Sequence, residues 1–285
     1  MATLYIVSTP IGNLEDISLR ALRILKEVDL IAAEDTRHTA ILLRRYDIRT
    51  RTTSFHAHNE RAKTPVLLAR LGHGESVALV SDAGTPGISD PGYRLVQAAR
   101  DAGYRVNAIP GPSAVLAALV SSGFPTESFT FLGFPPRKTA ARRTWALQLA
   151  SEPRTVIFFE APHRLRRTLE ELIPVLVDRP IGVAKELTKA HEYLVIQPIT
   201  RLLTMLDPIR GEYVVMVPPA VKSHHSGHEV PTDEQLTDFV GHMIEPVGGS
   251  RRMRIAEAAR HFSLSSREVY AALERAKKPR KPSET

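Results

Sequence analysis

Short apolar runs that alternate with helical periodicities are the feature that most constrains the fold of this chain. Between residues 4 and 109 five such runs occur, and a segment of helical character separates each from the next. This alternation is typical of a mostly parallel sheet with helices on both faces, because parallel strands need crossover connections. We predict strands at 4–8, 30–33, 52–55, 77–80 and 105–109.

Four helices should connect these strands, and a short fifth helix should follow at 114–120. In the first, Leu19, Leu22, Leu25 and Val28 recur at helical spacing with basic residues between them, which predicts an apolar face packed into the core. The second runs through Ile41, Leu42 and Tyr46, and the others span 60–71 and 93–102.

Polar loops follow all five predicted strands and are expected to meet, since ligands bind outside the carboxyl ends of parallel strands. Their sequences are STPIGNL, EDTR, HAHNE, SDAGTPG and PGPSA. In the stretch from Val77 to Gly92, glycines allow close backbone approach to a ligand and prolines stiffen the loop. Since G-x-G-x-x-G after the first strand and G-x-x-x-x-G-K-S/T are both absent, phosphates should not be the main handle on the ligand.

The composition changes after residue 118, where SSGFPTESFTFLGFPPRK introduces glycine and proline and strand-like runs become denser. We predict an N-terminal α/β domain at 1–118 and a second mixed α/β domain at 119–219, with some antiparallel pairing because its last strands are close in sequence. The predicted strands lie at 129–134, 156–160, 181–184, 193–196 and 213–217, with helices at 139–150 and 164–176.

Residues 220–231 have the composition of a linker. Although it contains His224, His225 and His228, other ligands are not nearby in the sequence, so we expect a solvated linker and no metal site. At 232–285 we predict a small basic domain in which a helix to residue 243 precedes a helix-turn-helix, with its turn at 263–265 and its second helix at 267–273. Val269, Tyr270 and Leu273 would form the apolar face of its last helix. A module for dimerisation or packing is the alternative for this domain.

The net charge of +7 and the pI near 9.8 favour a polyanionic partner such as nucleic acid. Zero cysteines exclude disulfides, thiolate metal sites and cysteine nucleophiles. Apolar runs stay below the roughly 20 residues that span a membrane, and the N-terminus lacks the pattern of a signal peptide. We therefore expect a cytoplasmic protein that does not bind membranes.

Several long runs together resemble one family, the bacterial small-subunit ribosomal RNA methyltransferase I enzymes. They are LYIVSTPIGNLEDISLRALRILKEVDLIAAEDTRHT, LVSDAGTPGISDPGYRLV and IPGPSAVLAALVSSGFP, with FFEAPHRL, KELTKAHE and GEYVVMV further along. The resemblance covers nearly the whole chain. It implies the tetrapyrrole-methylase (class III) fold, methylation of the ribose 2′-hydroxyl of a cytidine, S-adenosylmethionine bound in a cleft between two α/β domains, and a homodimer.

The resemblance also implies a set of cofactor-binding residues, which lie in loops at strand ends. They are Pro10, Ile11, Asp82, Thr85, Ser113, Ala114, Phe159, Ala184, and Glu212 or Tyr213. Some of these have simpler interpretations that stay open. Ser113 would also serve as a helix cap, and Phe159 and Ala184 would also serve as core residues.

A ribose hydroxyl is a poor nucleophile, so a base that accepts its proton should accelerate transfer by about 10²- to 10⁴-fold. We predict Lys185 and Glu186 for this role, with Glu186 holding the lysine in place, ahead of Glu34 and Asp35. Two alternatives remain open, namely that Lys185 contacts RNA phosphate and that Glu34 forms a structural ion pair with Arg37. For RNA binding we predict Asn13, Arg37, His56, Arg251, Arg252, Arg254, Arg267, Lys277 and Lys278.

Two other functions remain open at this point. The first is methylation of a small molecule such as a tetrapyrrole intermediate, which the basic C-terminal domain and the high pI disfavour. The second is a non-catalytic RNA-binding or assembly factor that holds the cofactor as a structural ligand.

Overall fold

A computed structural model describes residues 2–206, 209, 211–220, 232–242, 255, 258–259 and 266–276. The chain divides into two compact units, one from Met1 to Ala220 and one from Val221 to Thr285. In the part of the chain that is described, no helix is long and apolar enough to cross a membrane.

The first five strands form one parallel sheet, as the alternating sequence pattern predicts, in the order β3-β2-β4-β1-β5. The three inner strands, β2, β4 and β1, contain almost only buried side chains, since helices cover both faces of the sheet. The strands are β1 (Thr3–Val7), β2 (Leu30–Ala33), β3 (Thr52–Ser54), β4 (Val77–Val80) and β5 (Arg105–Ile109).

The helices of this half begin close to the predicted positions, and side-chain caps fix three of their starts. Ser18, Asp35 and Ser113 each accept a hydrogen bond from a backbone N–H of the following first turn. The sequence pattern misses a short 3₁₀ helix at Leu14–Asp16. The helices are α1 (Leu19–Glu27), α2 (Thr36–Arg45), α3 (Glu60–Gly72), α4 (Tyr93–Asp101) and α5 (Ala114–Ser122).

The prediction that Leu19 belongs to the core is wrong. Leu19 is the first residue of α1 and is 86% exposed, whereas Leu25 and Val28, further along the helix, are buried. Helical periodicity identifies a face of α1, but it does not show that this face is left uncovered at the first residue of the helix, whereas Ala21, two residues on, is fully buried.

The second sheet is mixed, with the order β6-β7-β10-β8-β9. β6 and β7 pair in parallel, while β10 pairs antiparallel with both β7 and β8, and β8 with β9. This confirms the expected antiparallel pairing. The strands are β6 (Phe129–Phe131), β7 (Thr155–Glu160), β8 (Ile181–Lys185), β9 (Tyr193–Gln197) and β10 (Tyr213–Val217).

Two features of this half differ from the sequence prediction. β6 ends at Phe131 rather than at residue 134, because Gly133 adopts a left-handed φ of +62° and prolines follow it. The pattern also misses the short helix between β9 and β10. The helices here are α6 (Thr139–Ala150), α7 (Pro162–Leu176) and α8 (Ile199–Met205).

The second unit has a small apolar core of its own. Leu236 and Val240 of α9 (Asp233–His242) pack with Ala258, Val269 and other residues of this unit. The last helix, α10 (Ser266–Ala276), extends beyond its predicted ends. Tyr270 was expected on its apolar face but is half exposed. The predicted turn at 263–265 lies outside the described residues.

Candidate active site

One cavity of about 380 Å³ lies at the carboxyl-end edge of the first sheet, within the first unit. Loops of the first sheet form one wall, and the ends of β7, β8 and β10 contribute the other. The first wall contains Ile11, Ala83, Gly84, Thr85, Ile88, Ser89, Asp90, Ser113, Ala114 and Val115. The second contains Phe134, Phe159, Glu160, Ala161, Pro162, Ala184, Leu187, Glu212, Tyr213 and Val214.

Hydrogen bonds tie the loop after β1 to the loop after β4. Thr9 N–H donates to the Gly84 carbonyl at 2.8 Å, and Gly84 N–H donates back at 3.1 Å. The Ser8 and Thr85 hydroxyls share a hydrogen bond of 2.8 Å. Gly84 makes this approach with a φ of +74°, a conformation that strongly favours glycine. These contacts explain how loops about 75 residues apart form one wall.

Most of the predicted cofactor residues lie together on this cavity. Two do not line it, Pro10 and Asp82. The carboxylate of Asp82 accepts a hydrogen bond from the backbone N–H of Asp35 at 3.0 Å, so it organises the neighbouring loop. Those that line the cavity are Ile11, Thr85, Ser113, Ala114, Phe159, Ala184, Glu212 and Tyr213.

Three of these cavity residues also have the structural roles that the sequence left open. Ser113 Oγ caps α5 by accepting the Leu116 N–H at 3.4 Å. Ala184 is fully buried, and Phe159 packs edge-to-face with Phe131 at 4.9 Å between ring centroids. Each of these three residues therefore has a structural role and also lines the cavity.

Lys185 and Glu186, predicted for catalysis, lie beside the cavity without lining it. The Lys185 ammonium is 5.6 Å from the ring centroid of Tyr193 and 6.0 Å from that of Tyr213. We predicted that Glu186 holds Lys185, but Glu186 instead forms its ion pair with Lys189, at 3.2 Å. Partial burial raises the pKa of Glu186, but hydrogen bonds from the Glu212 backbone and Lys189 outweigh burial and lower it overall.

The turn that follows β8 has two strained residues and touches the first loop. Glu186 and Thr188 have φ values of +50° and +66°, which is unusual for residues other than glycine. Thr188 Oγ1 accepts the backbone N–H of Asn13 at 3.0 Å. The side chain of Asn13, which we predicted for RNA binding, accepts the Glu15 N–H within its own loop. This turn places Leu187 in the cavity wall.

Glu34 and Asp35 differ in their surroundings. Asp35 forms a bidentate ion pair with Arg37, at 2.7 and 3.1 Å, which holds the pKa of Asp35 well below its usual range. The partner of Arg37 is thus Asp35, and the expected Glu34–Arg37 pair is wrong. Burial is the main cause that raises the pKa of Glu34, while a hydrogen bond from the Asp82 N–H opposes it.

His56, predicted for RNA binding, is partly buried in the loop that follows β3. Its Nε2 lies 3.1 Å from Asn59 Nδ2, and its backbone N–H donates to Asn59 Oδ1 at 2.8 Å. The rings of His56 and His58 are 6.0 Å apart between centroids. The charge of His56 is one of the effects that lower the pKa of Glu34.

Two cavity acids were not singled out from the sequence. Asp90 lies in ISDPG, and its pKa is raised to about 6, first by burial and then by the negative charges of Glu34 and Asp82, against a hydrogen bond from Ser81. Glu160 is buried and accepts hydrogen bonds from Thr168 Oγ1 at 2.5 Å and Ala161 N–H at 2.9 Å. A polar residue that ends an apolar strand was the available signal for Glu160.

Most of the basic residues predicted for RNA binding in the C-terminal part cannot be placed. Arg251, Arg252, Arg254, Lys277 and Lys278 lie outside the described residues. Arg267 belongs to α10, but its side chain is outside the described part. Their role stays a prediction from the sequence.

Sequence comparison identifies the family. Residues 3–203 match the family Tetrapyrrole (Corrin/Porphyrin) Methylases. A Vibrio cholerae protein named ribosomal RNA small subunit methyltransferase I is 49% identical, over 75% of this chain and 76% of that protein. A protein of the same name from Synechocystis is 43% identical over 95% of this chain and 96% of its own length.

Solved structures of low sequence identity share the fold. Uroporphyrin-III-C-methyltransferase from Thermus thermophilus has a TM-score of 0.57 and 20% identity, over 78% of this chain and 96% of that one. Diphthine synthase has a TM-score of 0.60 and 15% identity, over 76% and 90%. Taken with the cavity at the strand ends, these matches show that the chain belongs to the tetrapyrrole methylase family and, within it, to the ribosomal RNA small subunit methyltransferase I group.

Proposed function

We propose that this protein transfers a methyl group from S-adenosylmethionine to the ribose 2′-hydroxyl of a cytidine in small-subunit ribosomal RNA. The observation that carries the proposal is the similarity to proteins named for ribosomal RNA methylation, which reaches 95% of the chain in one of them. The cavity and its lining support the methylation step.

The residues around the cavity fit S-adenosylmethionine. Apolar side chains such as Ile11, Phe159 and Val214 suit an adenine ring, while the carboxylate of Glu212 suits hydroxyl or ammonium groups. A phosphate-binding loop is absent from the sequence, and this ligand has no phosphate. When bound, the cofactor supplies an electrophilic methyl group and leaves as S-adenosylhomocysteine.

The task of the protein in this reaction is mainly positioning. The new oxygen–carbon bond forms as the carbon–sulfur bond breaks, so the ribose oxygen must lie roughly 3 Å from the methyl carbon and opposite the sulfur. The hydrogen-bonded loops around Thr9 and Gly84 fix one wall, and the strained turn at Glu186 fixes the other. Two such preformed walls orient both reactants and exclude water between them.

The proton of the hydroxyl needs an acceptor within hydrogen-bond reach. Lys185 and Glu186 stay our predicted pair for this role, although neither lines the cavity. Asp90 is the better-placed acid because it lines the cavity and its pKa of about 6 suits proton exchange near neutral pH. We therefore propose Asp90 as a third candidate, beside the pair.

Labelled S-adenosylmethionine and small-subunit RNA from cells that lack this protein test the proposed function. We expect label in the ribose of a cytidine, identified by nuclease digestion and mass spectrometry. Label in a base, or transfer only to a small molecule such as a tetrapyrrole, would contradict the proposal. RNA binding without any transfer would favour the assembly factor.

Variants separate the acceptor candidates. Lys185→Ala with Glu186→Ala, and separately Asp90→Asn, are compared for cofactor affinity by calorimetry and for single-turnover methyl transfer. The acceptor should lose about 10²- to 10⁴-fold in rate with little change in affinity. Full activity in either variant would remove that candidate.

We further propose that the protein acts as a homodimer in the cytoplasm and that residues 232–285 contact the RNA after a linker at 220–231. The basic residues of that region and the net charge of +7 support the RNA contact. Light scattering of the purified chain tests the dimer. Parallel assays on free RNA and on assembled small subunits identify the substrate form.

A further inference from the structure

The proposed reaction restricts where the target base can lie, so the placement of that base rests on the proposed function. A ribose 2′-hydroxyl that reaches the transferred methyl group brings its own base to within one nucleotide of the cavity. Sequence-specific RNA recognition mostly targets bases that have left their stack, and proteins usually hold such a base against an aromatic or apolar side chain. Such side chains should therefore be exposed at the cavity.

Two large apolar side chains of the cavity lining are exposed in this way. Ile88 and Phe134 are each 50% exposed. The other large apolar residues described around the cavity are buried or have a smaller exposed fraction. Neither belongs to the predicted cofactor set. Because burial of apolar surface is favourable, two such residues at a cavity mouth mark a place where a ligand provides the cover.

Ile88 and Phe134 come from loops that approach each other. A Cβ placed on Gly133 would lie 3.8 Å from Ser89 Oγ, so the residues next to Phe134 and Ile88 are close. Gly133 and Ser89 both have left-handed φ values, +62° and +64°. The two apolar side chains thus belong to one rim of the cavity, although they come from different sheets.

Backbone contacts and two arginines hold the loop of Phe134 in place. Phe159 N–H donates to the Gly133 carbonyl at 2.8 Å, and the Phe134 ring packs edge-to-face with Phe159 at 5.6 Å between centroids. Arg164, which pairs with buried Glu160 at 3.4 Å, donates to the Pro135 carbonyl at 2.7 Å. Ordering before binding reduces the entropy lost when a base stacks.

Arg142 secures the next part of this loop. Its guanidinium donates to the Pro136 carbonyl at 3.1 Å and to the Arg137 carbonyl at 2.9 Å. The exposed side chains of Arg137 and Lys138 form no ion pair with a carboxylate in the described part of the chain. Two such cations, three and four residues after Phe134, suit the phosphates that flank a bound nucleotide.

The size of the cavity points to the base, rather than the cofactor, as the partner of the rim. Its volume of about 380 Å³ is near the lower end of the roughly 300–1,000 Å³ of small-molecule sites, so one cofactor molecule fills the interior. The predicted cofactor residues Ala184 and Tyr213 are buried there. We propose that Phe134, with Ile88, forms the platform on which the target base of the RNA stacks.

The test compares Phe134→Ala with Phe134→Trp in the full chain. Loss of a stacking platform should lower kcat/KM for RNA by about 10- to 100-fold. The affinity for S-adenosylhomocysteine, measured by calorimetry, should change less than about threefold, while Phe134→Trp should keep activity within about threefold of wild type, because any base can stack on an indole. Phe129→Ala is the matched control, since Phe129 is an exposed aromatic of β6, the strand before this loop, and lies outside the cavity lining.

Fluorescence gives a readout that a merely structural role would not move. In Phe134→Trp, with Trp145 of the wild type as background, RNA should quench the added emission even when S-adenosylhomocysteine is saturating. Quenching by S-adenosylhomocysteine alone, or equal losses of cofactor and RNA affinity in Phe134→Ala, would assign Phe134 to the cofactor and overturn the proposal. Unchanged kcat/KM would also overturn it. If the wild type transfers nothing to RNA, the proposed function fails instead.

Discussion

At the scale of single residues, the protonation state of Asp90 in the cavity affects the stability of the fold. Its folded pKa of about 6 lies above its ordinary value, so between about pH 4 and 6 the folded state binds more protons than the unfolded state. Stability therefore falls as pH rises through this window, and the ionised carboxylate is unfavourable above it. A cavity acid kept in this state is typical of functional sites.

Asp90→Asn should accordingly stabilise the fold at pH 8 and change it little at pH 4.5. We expect a gain of about 1 kcal/mol in the free energy of unfolding at pH 8, a value already reduced for solvent screening of this partly exposed group. Urea denaturation at both pH values measures it. The exposed Asp178→Asn serves as control, and an equal gain at both pH values would contradict the expected titration.

Arg142 is the second residue whose role is visible only in the fold. Its side chain is 4% exposed and forms a bidentate pair with Glu171, at 2.6 and 2.7 Å, besides its bonds to the carbonyls of the loop after β6. The hydrogen bonds from Arg142 are the largest of the effects that lower the pKa of Glu171 to about 2. The partners are 29 residues apart, so local periodicity could not predict the pair.

Arg142→Ala should destabilise the protein by about 3 kcal/mol, because it leaves two carbonyls without their donor and leaves Glu171 with only the exposed Arg167, at 3.1 Å. Urea denaturation at neutral pH measures this loss. The neighbouring exposed Arg143→Ala should cost less than about 0.5 kcal/mol. The stability that the fold gains from the ionised Glu171 should be fully present above about pH 4.5 and should be lost as pH falls toward 2. Similar losses in the two arginine variants would show that the buried pair contributes little.

At the scale of elements, the turn after β8 and the loop after β1 fit against each other at Gly12. A Cβ on Gly12 would lie 2.6 Å from Lys189 Cγ, 2.7 Å from Thr188 Oγ1 and 2.8 Å from the Leu187 carbonyl. The side chains can move, but the carbonyl belongs to the strained turn that places Leu187 in the cavity wall. Glycine is therefore required here by contact rather than by its φ.

Gly12→Ala should weaken binding of S-adenosylhomocysteine by about tenfold, since a shift near 1 Å at a site is enough for such a loss. Isothermal calorimetry measures the affinity, and circular dichroism checks that the fold persists. Asp16→Ala, an exposed change in the same loop, should bind normally. Normal binding by Gly12→Ala would mean that the turn can move without cost to the cavity.

Elements differed in how well the sequence predicted them, and the reasons are physical. Apolar runs bounded by glycine or polar residues placed β2, β5 and β10 at their observed bounds. The seven-residue α8 was missed because so short a segment shows little periodicity. The strand order, and hence which loops meet, depends on tertiary pairing. Asp90, Glu160 and Phe134 were missed as site residues for that reason.

At the scale of the whole molecule, the division into two units separates the cavity from the basic C-terminal residues that we predict to bind RNA. The cavity and both sheets belong to the unit that ends at Ala220. The basic run with Arg251, Arg252 and Arg254 belongs to the other unit. The sequence could predict that the basic run belongs to the C-terminal part of the chain. The three arginines themselves lie outside the described residues.

Replacement of Arg251, Arg252 and Arg254 by glutamine in the full chain tests this separation. If each arginine neutralises one phosphate, the slope of log K for RNA against log salt concentration should become less steep by about 2, since each contact to a single strand contributes about 0.7. Cofactor affinity should stay unchanged, because the cavity belongs to the other unit. A control triple of Arg23, Arg100 and Arg105, which are exposed on the first unit, should leave the slope unaltered. Equal effects of the two triples would show that RNA responds to overall charge, and the C-terminal unit would then be better explained as a packing or dimerisation module.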